Sequence, residues 1–443
     1  MILTFIQFLI VLASIFIGAR IGGIGLGIFG MIGLAILVFF FGLQPGEAPI
    51  DVMLMILAVI TAAATLQAAK GLDYMVYLAE KILRSKPSAI TFLGPLVCYL
   101  FTFLAGTGHI AYSLLPIISE IATQSKIRPE RPLSISVIAS QQAITASPIS
   151  AATAALLTPA LLGGQGITLS HILMISIPAT LTGVLVGALI SNYMGKELEQ
   201  DPEYLKRLKA GLIATNVDGD QKSSIQNDKR AKRSVLIFLL GVALVVLLGS
   251  LENLRPSFNV NGQVQRLRMP EAIEMIMMVT AGLILFFSKV NINKVPSSSV
   301  FLAGIQAVVA IFGIAWLGNT FFQGNLKFFQ ESIHSIVTQY NFLFALALFI
   351  MSIFLFSQAA TVRTLYPLGI ALGISPWALL AMYPAVNGYF FIPNYPTVVA
   401  AINFDRTGST RIGKYLLNHS FQVPGIVSTI IAVSMGFLLI SFI

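Results

Sequence analysis

Residues 139–156 read ASQQAITASPISAATAAL, a polar interruption inside a long apolar segment. Ser140, Gln141, Gln142, Thr145, Ser147 and Ser150 crowd around Pro148. Proline lacks the N–H that a helix ladder needs, so the spacing predicts a helix that breaks near Thr145–Pro148 and leaves backbone groups unpaired. Within a bilayer such a break survives only where it is buried in protein or lines a wet cavity. The pattern recurs at residues 390–401, FFIPNYPTVVAA, around Pro393 and Pro396. Interrupted helices at corresponding places in two halves of a chain point to a transporter's binding site.

The surrounding sequence sets these breaks in a membrane. Of its 443 residues 56% are hydrophobic and 10% charged, where soluble domains carry about 25% charged residues. The chain reads as an all-α polytopic membrane protein. A net charge of +9 in a soluble protein would suggest nucleic acid. Here the charges sit between apolar spans, where they act as topology signals, and no nucleic-acid partner is expected. The single cysteine, Cys98, lies in an apolar run and allows no intramolecular disulfide. No metal site or cofactor is expected. The opening MILTFIQFLIVLASIFIGAR has no basic region ahead of its apolar run and reads as a retained first helix.

Apolar runs long enough to span occur near 2–19, 22–43, 51–69, 133–163, 170–194, 234–250, 271–288, 298–317, 376–404 and 420–443. Two further stretches fold back on themselves: 88–123 around Gly106-Thr107-Gly108-His109, and 340–373 around Ser357-Gln358-Ala359-Ala360. Their arms are short for a crossing, which suits re-entrant hairpins. With the N-terminus outside, this arrangement puts most of the 27 lysines and arginines in cytoplasmic loops. It leaves Arg255, Arg266, Arg268 and Lys327 outside, with Arg363 inside the second hairpin. That asymmetry is what cytoplasmic loops require. Residues 1–195 and 234–443 then match as inverted repeats. Each has three scaffold spans (2–69 and 234–317), a re-entrant hairpin (88–123 and 340–373), a discontinuous helix (133–163 and 376–404) and a last span (170–194 and 420–443). The sum is about ten full spans plus two hairpins, with both termini periplasmic. The mixed-charge segment 196–233 reads as a mobile cytoplasmic linker.

One motif misleads. Gly25-x-Gly27-x-x-Gly30 matches a dinucleotide fingerprint, but no strand precedes it. Inside a span, closely spaced glycines let helices approach.

No Asp or Glu stands at either hairpin tip or either break. Half-helices would begin after Gly108, Pro148, Ala360 and Pro396, and each N-terminus offers unpaired N–H groups and partial positive charge. The arrangement favours a small anion, with Ser, Thr and Asn side chains as added donors. The preceding half-helices end there too, and their carbonyls suit a cation, which keeps sodium coupling open. Arg363 is the sharpest residue: it either grips a carboxylate bidentately or turns outward to a helix end. His109 either bonds a carboxylate, takes up a proton, or caps the hairpin arm as a neutral ring. Gly108 permits close approach of backbone to ligand, and Thr107 presents its hydroxyl or N–H. Thr145, Ser147 and Ser150 are candidate donors at the first break, and Asn394 and Thr397 at the second; such hydroxyls also bond back to their own helices. Tyr395 is a site wall or packing, and at most one of Gln141 and Gln142 faces the site.

At these motifs the chain resembles the anaerobic C4-dicarboxylate (Dcu) carriers. The likeness covers nearly the whole chain and is carried by GARIGGIGLG (18–27), GLDYMV (71–76), AGTGHI (105–110), AITASPISAA (143–152), AWLGNTF (315–321), SQAATVRTLYPLGIAL (357–372), FFIPNYPTVVAA (390–401) and TGSTRIGKYLLNHSF (407–421). It implies exchange of fumarate, malate, aspartate and succinate across a bacterial inner membrane. It further implies paired hairpins in a moving domain, elevator-type alternating access and a static dimeric scaffold. It places Thr107 and Gly108, Thr145 to Ser150 (with Ala146 and Pro148), Ser357 to Thr361 (with Gln358) and Asn394 to Thr397 around the substrate. Some relatives carry Lys at 363, Asn at 109 and Thr at 394; a retained positive charge at 363 fits an anion role. The expected partners are small dicarboxylates, the lipid bilayer, a second copy in a homodimer and, as for some relatives, a sensor kinase. Two other readings remain: a sodium-coupled dicarboxylate symporter, and an intramembrane enzyme using His109 and Ser150, for which no nucleophile elbow or carboxylate pair is present.

Overall fold

The computed structural model describes residues 2–21, 24–213, 228–260, 263–325, 327–328, 342–355, 357–393, 395–413 and 418–442. The described chain is helical apart from one short β-ribbon. The first half runs α1 (Ile2–Ile21), α2 (Gly25–Phe39), α3 (Ile50–Ala68), α4 (Gly71–Leu83), α5 (Ile90–Ala105), α6 (Ala111–Gln124), α7 (Glu130–Ala146), α8 (Ala151–Leu156) and α9 (Leu169–Ser191). A short α10 (Pro202–Lys209) lies in the linker. The second half runs α11 (Lys229–Ser250), α12 (Met269–Ser288), α13 (Ser299–Gly324), α14 (Phe342–Leu355), α15 (Gln358–Ala371), α16 (Pro376–Ala381), a 3₁₀ segment (Tyr383–Phe390), α17 (Pro396–Phe404) and α18 (Gln422–Ile440). Among the described residues six helices are long and apolar enough to cross a membrane, or seven if the bent α3–α4 pair counts as one. Each half holds three apolar helices, a helix–turn–helix pair, an interrupted helix and a final helix, and the first half adds α4.

Both predicted interruptions are present. The α7 helix stops at Ala146, Ser147 and Ser150 are extended, and α8 restarts at Ala151. In the second half α17 begins at Pro396, where a missing N–H costs nothing because first-turn donors have no helical partner. The fold adds features that periodicity does not mark. A 74° bend follows Ala68, so the motif GLDYMV opens an amphipathic helix where the sequence suggested only a loop. Lys70 takes a left-handed backbone (φ 61°) to make that bend. Residues Ser257–Val260 and Gln263–Arg266 pair as an antiparallel ribbon. The arm Pro87–Ala105, expected to be short for a crossing, is by length and composition alone able to cross.

The start of the linker is docked, in contrast to its expected mobility. Buried Arg128 reaches both Glu130 and Asp201 at 2.5 Å, Arg131 bonds Glu197 at 2.9 Å and Lys126 bonds Glu199 at 2.7 Å. These partners lie about seventy residues apart in sequence, which is why composition alone misses them. The Ser420 hydroxyl donates to Glu130 at 2.6 Å, and Arg84 reaches Glu120 at 3.0 Å. The ends of α4 and α6, the start of α7, the linker and the chain before α18 thus share one charged face. Residues 214–227 of the predicted linker lie outside the described residues.

Two groups of helices pack internally. One comprises α1, α2, α3, α11, α12 and α13; the other comprises α5 to α9 and α14 to α18. Within the first, the glycines of the decoy motif allow main chain to meet main chain. A Cβ on Gly27 would collide with Val309 O, one on Gly313 with Gly27 O, and one on Gly30 with the Gly313 backbone. The motif is a packing seam, as the absence of a preceding strand implied.

Candidate functional site

The chain builds its central cavity from turns and breaks. Gly106 closes α5 with φ 68°, and a side chain there would run into Ile149 beside the first break. The Ser147 hydroxyl donates to Phe103 O at 2.7 Å, which ties the break to the end of α5. Ser150 caps α8 by accepting from Thr153 N–H at 3.2 Å. Ser357 does the same for α15 through Ala360 N–H at 3.2 Å. Each serine therefore serves a helix N-terminus, as such residues do. Tyr395, the residue before α17, packs its ring 4.5 Å from that of Tyr389.

Together these elements surround a cavity of about 450 Å³. One wall comprises Thr107 and Gly108 of the first turn and Ala151 and Ala152 opening α8. It continues with Ser357, Gln358 and Ala359 opening α15, and Tyr395, Pro396 and Thr397 opening α17. The opposite wall is α2 and α13, through Leu26, Gln306 and Ala307 among others. Among the described residues no charged side chain lines the cavity. Its electrostatics come from main chain: the first residues of α8, α15, α17 and the turn leading into α6 line it, and helix N-termini carry partial positive charge. An anion is what such a site holds. Thr397 is 2% exposed and its hydroxyl has no partner among the described residues. A buried hydroxyl left alone costs about 1–3 kcal/mol, so it suits a ligand oxygen.

Four amides join the halves behind this wall. Asn387 sits in the 3₁₀ segment with non-helical φ/ψ, and its Nδ2 donates to Pro384 O at 3.1 Å and Gln142 Oε1 at 3.2 Å. Gln358 Nε2 donates to Asn387 Oδ1 at 3.1 Å and to Gln141 Oε1 at 2.9 Å. Gln141 lines the cavity, whereas Gln142 faces away and donates to Thr429 Oγ1 at 3.4 Å.

Of the residues expected from sequence, Thr107, Gly108, Ser357, Gln358, Tyr395 and Thr397 line the cavity. Thr145, Ala146, Ser147, Pro148 and Ser150 are buried at the break and hold its shape; the Thr145 hydroxyl bonds Gln142 O at 2.7 Å. Thr361 bonds Ser357 O at 2.9 Å within α15. Arg363 is half-buried one turn further on, and its Nη1 donates to Thr158 Oγ1 at 3.3 Å, just past the end of α8. His109 lies in the turn before α6, with its side chain outside the description, and Asn394 lies outside the described residues. Tyr112 and Gln306 line the cavity without having been singled out. For Gln306 a signal existed: it is the lone amide in the apolar run 300–317.

Comparison with known proteins follows this geometry. The family described as "Anaerobic c4-dicarboxylate membrane transporter" matches residues 3–443. The C4-dicarboxylate transporter DcuA of Wolinella succinogenes is 42% identical over 98% of both chains. DcuA of Escherichia coli K12 is 42% identical over 99% of both chains. The anaerobic C4-dicarboxylate transporter DcuB of Escherichia coli O6:H1 is 41% identical over 98% of this chain and 97% of its own. Among solved structures, Neisseria gonorrhoeae MtrF, from a class of antimetabolite efflux pumps, matches 91% of the chain and 84% of its own. The TM-score is 0.53 at 12% identity, a likeness of fold alone.

Proposed function

The chain belongs to the anaerobic C4-dicarboxylate membrane transporter family, and from that premise we propose that it exchanges fumarate, malate, aspartate and succinate across the bacterial inner membrane by an elevator-type movement. The chain is a transporter and not an enzyme. The observation that carries the proposal is one cavity lined by the starts of α8, α15, α17 and the turn into α6, with no charged side chain among the described lining residues. A dianion neutralises that positive field, so the filled site crosses an apolar barrier more readily than the empty one. Obligate exchange follows from that difference.

The moving body comprises residues 88–194 and 340–443, with α5–α6 and α14–α15 as re-entrant hairpins. Residues 2–69 and 234–317 form the scaffold. Support comes from the two packing groups and from the cavity, which lies where they meet, with α2 and α13 forming its fixed wall. The ligand set is Thr107, Gly108, Ser357, Gln358, Tyr395 and Thr397. Arg363 supplies positive charge one turn away, which favours a doubly charged substrate. The shared charged face carrying Arg84, Lys126, Arg128 and Arg131 is read as cytoplasmic, which puts both termini in the periplasm.

The test is uptake of labelled fumarate into proteoliposomes, preloaded with unlabelled aspartate or left empty. Uptake confined to preloaded vesicles supports obligate exchange. Sodium-dependent uptake into empty vesicles would instead assign a symporter.

A further inference from the structure

The amide network behind the cavity has a fixed direction. A backbone carbonyl only accepts, so the 3.1 Å contact with Pro384 O requires that Asn387 turn its Nδ2 that way. Its Oδ1 must then face Gln358, which is obliged to donate through Nε2. The same Nε2 also donates to Gln141, which must accept through Oε1. One obligate acceptor thereby settles three side-chain amides. The pair's two remaining ends are Gln141 Nε2, a donor, and Gln358 Oε1, an acceptor. Neither has a further partner within the described residues, and both belong to buried residues, 1% and 8% exposed, that line the cavity. Gly108 leaves room for the first of them, since a Cβ there would stand 2.7 Å from Gln141 Nε2.

The rest of the wall is rich in donors, as an anion requires. Gln358 Oε1 is an acceptor set among them, and both carboxylates of a dicarboxylate would be repelled by it. We propose that Gln358 Oε1 recognises a hydrogen-bond donor carried on C2 of the substrate, so that the Gln141–Gln358 pair ranks the C4-dicarboxylates in favour of 2-amino and 2-hydroxy acids. Gln141 Nε2 donates to the neighbouring carboxylate. Aspartate presents an ammonium to the acceptor and malate a hydroxyl; fumarate and succinate present nothing. The inference rests on the reading of the cavity as a C4-dicarboxylate site.

The decisive measurement uses the unmodified protein in proteoliposomes exchanging labelled fumarate. Competitors are aspartate, malate, succinate and 2-methylsuccinate, whose methyl group matches the ammonium in size and cannot donate. Aspartate and malate are expected to compete at concentrations about tenfold below methylsuccinate, the factor that one charge-assisted or strong hydrogen bond supplies. In Gln358→Met the aspartate-to-fumarate preference is expected to fall about tenfold, whereas Gln141→Leu weakens all four acids together. Methylsuccinate competing as well as aspartate, or a preference unmoved in Gln358→Met, overturns the inference while leaving the transport reading intact. No fumarate exchange at all overturns both. The competition series needs no substitution, so a Gln358 variant that fails to fold does not remove the test.

Discussion

At the residue scale the site depends on which polar atoms are already engaged. The hydroxyls of Ser147, Ser150 and Thr145 are committed to backbone and neighbouring side chains, while that of Thr397 is not. Thr397→Val keeps shape and removes the oxygen. It is expected to raise the half-saturation concentration for fumarate about tenfold with little change in thermal stability. A variant that exchanges at unchanged half-saturation would remove Thr397 from the ligand set. Arg363 gives a second test. Arg363→Lys keeps the charge and should retain part of the exchange rate, whereas Arg363→Met should lose most of it; equal rates in the two would show that charge is not its contribution. Sequence marked the polar cluster at each break but not its facing, because helical hydroxyls choose between ligand and their own backbone only in three dimensions. Gln358 illustrates the limit: its chemistry was readable, yet its partners lie 217 and 29 residues away.

At the scale of elements, what could be read was local and what could not was long-range. Proline and small residues announced both helix breaks and both turns. The 74° bend after Ala68 depends on a left-handed lysine, a conformation sequence does not signal. Linker docking depends on buried ion pairs between distant segments. Removing Arg128, which is 3% exposed, strands Glu130 and Asp201, and Arg128→Met is expected to destabilise by about 3–5 kcal/mol. A thermal melt in detergent reads this directly; an unshifted midpoint would mean the cluster relaxes into water. Burial pushes the Asp201 carboxyl up, but hydrogen bonds from Arg128 and from the Tyr204 and Glu203 amides outweigh it and leave it below its usual range. A lowered carboxyl stabilises above its unfolded value of about 3.9, and that stabilisation is lost as pH falls through the folded value. Amide protection across residues 197–209 should therefore be level between about pH 5 and 8 and drop only in stronger acid. A drop near neutrality would implicate another group. Gly313→Ala places a methyl against the Gly27 main chain and is expected to destabilise by about 1–3 kcal/mol, read as a lowered midpoint in the same melt.

Across the whole molecule an all-helical chain with several membrane spans was legible from apolar runs, because membrane spans are long and their interruptions are chemically conspicuous. The cavity between the two packing groups was not, since the scaffold contribution of Leu26, Gln306 and Ala307 looks like ordinary apolar helix. If the moving body slides past that wall, linking the two must stop exchange. With Cys98 replaced by alanine, cysteines at Thr107 and Ala307, which line the same cavity, should trap the carrier when bridged by a short bifunctional reagent and release it on reduction. Bridged protein that still exchanges at full rate would rule out the elevator. The four helix ends around the cavity have one more consequence. Their positive field belongs to the peptide chain itself, so it is inherited with the fold and not with any particular side chain. A lineage can drift through many substitutions and change which acid it prefers without ever losing its appetite for anions, whereas one misplaced proline or glycine at a break would forfeit it.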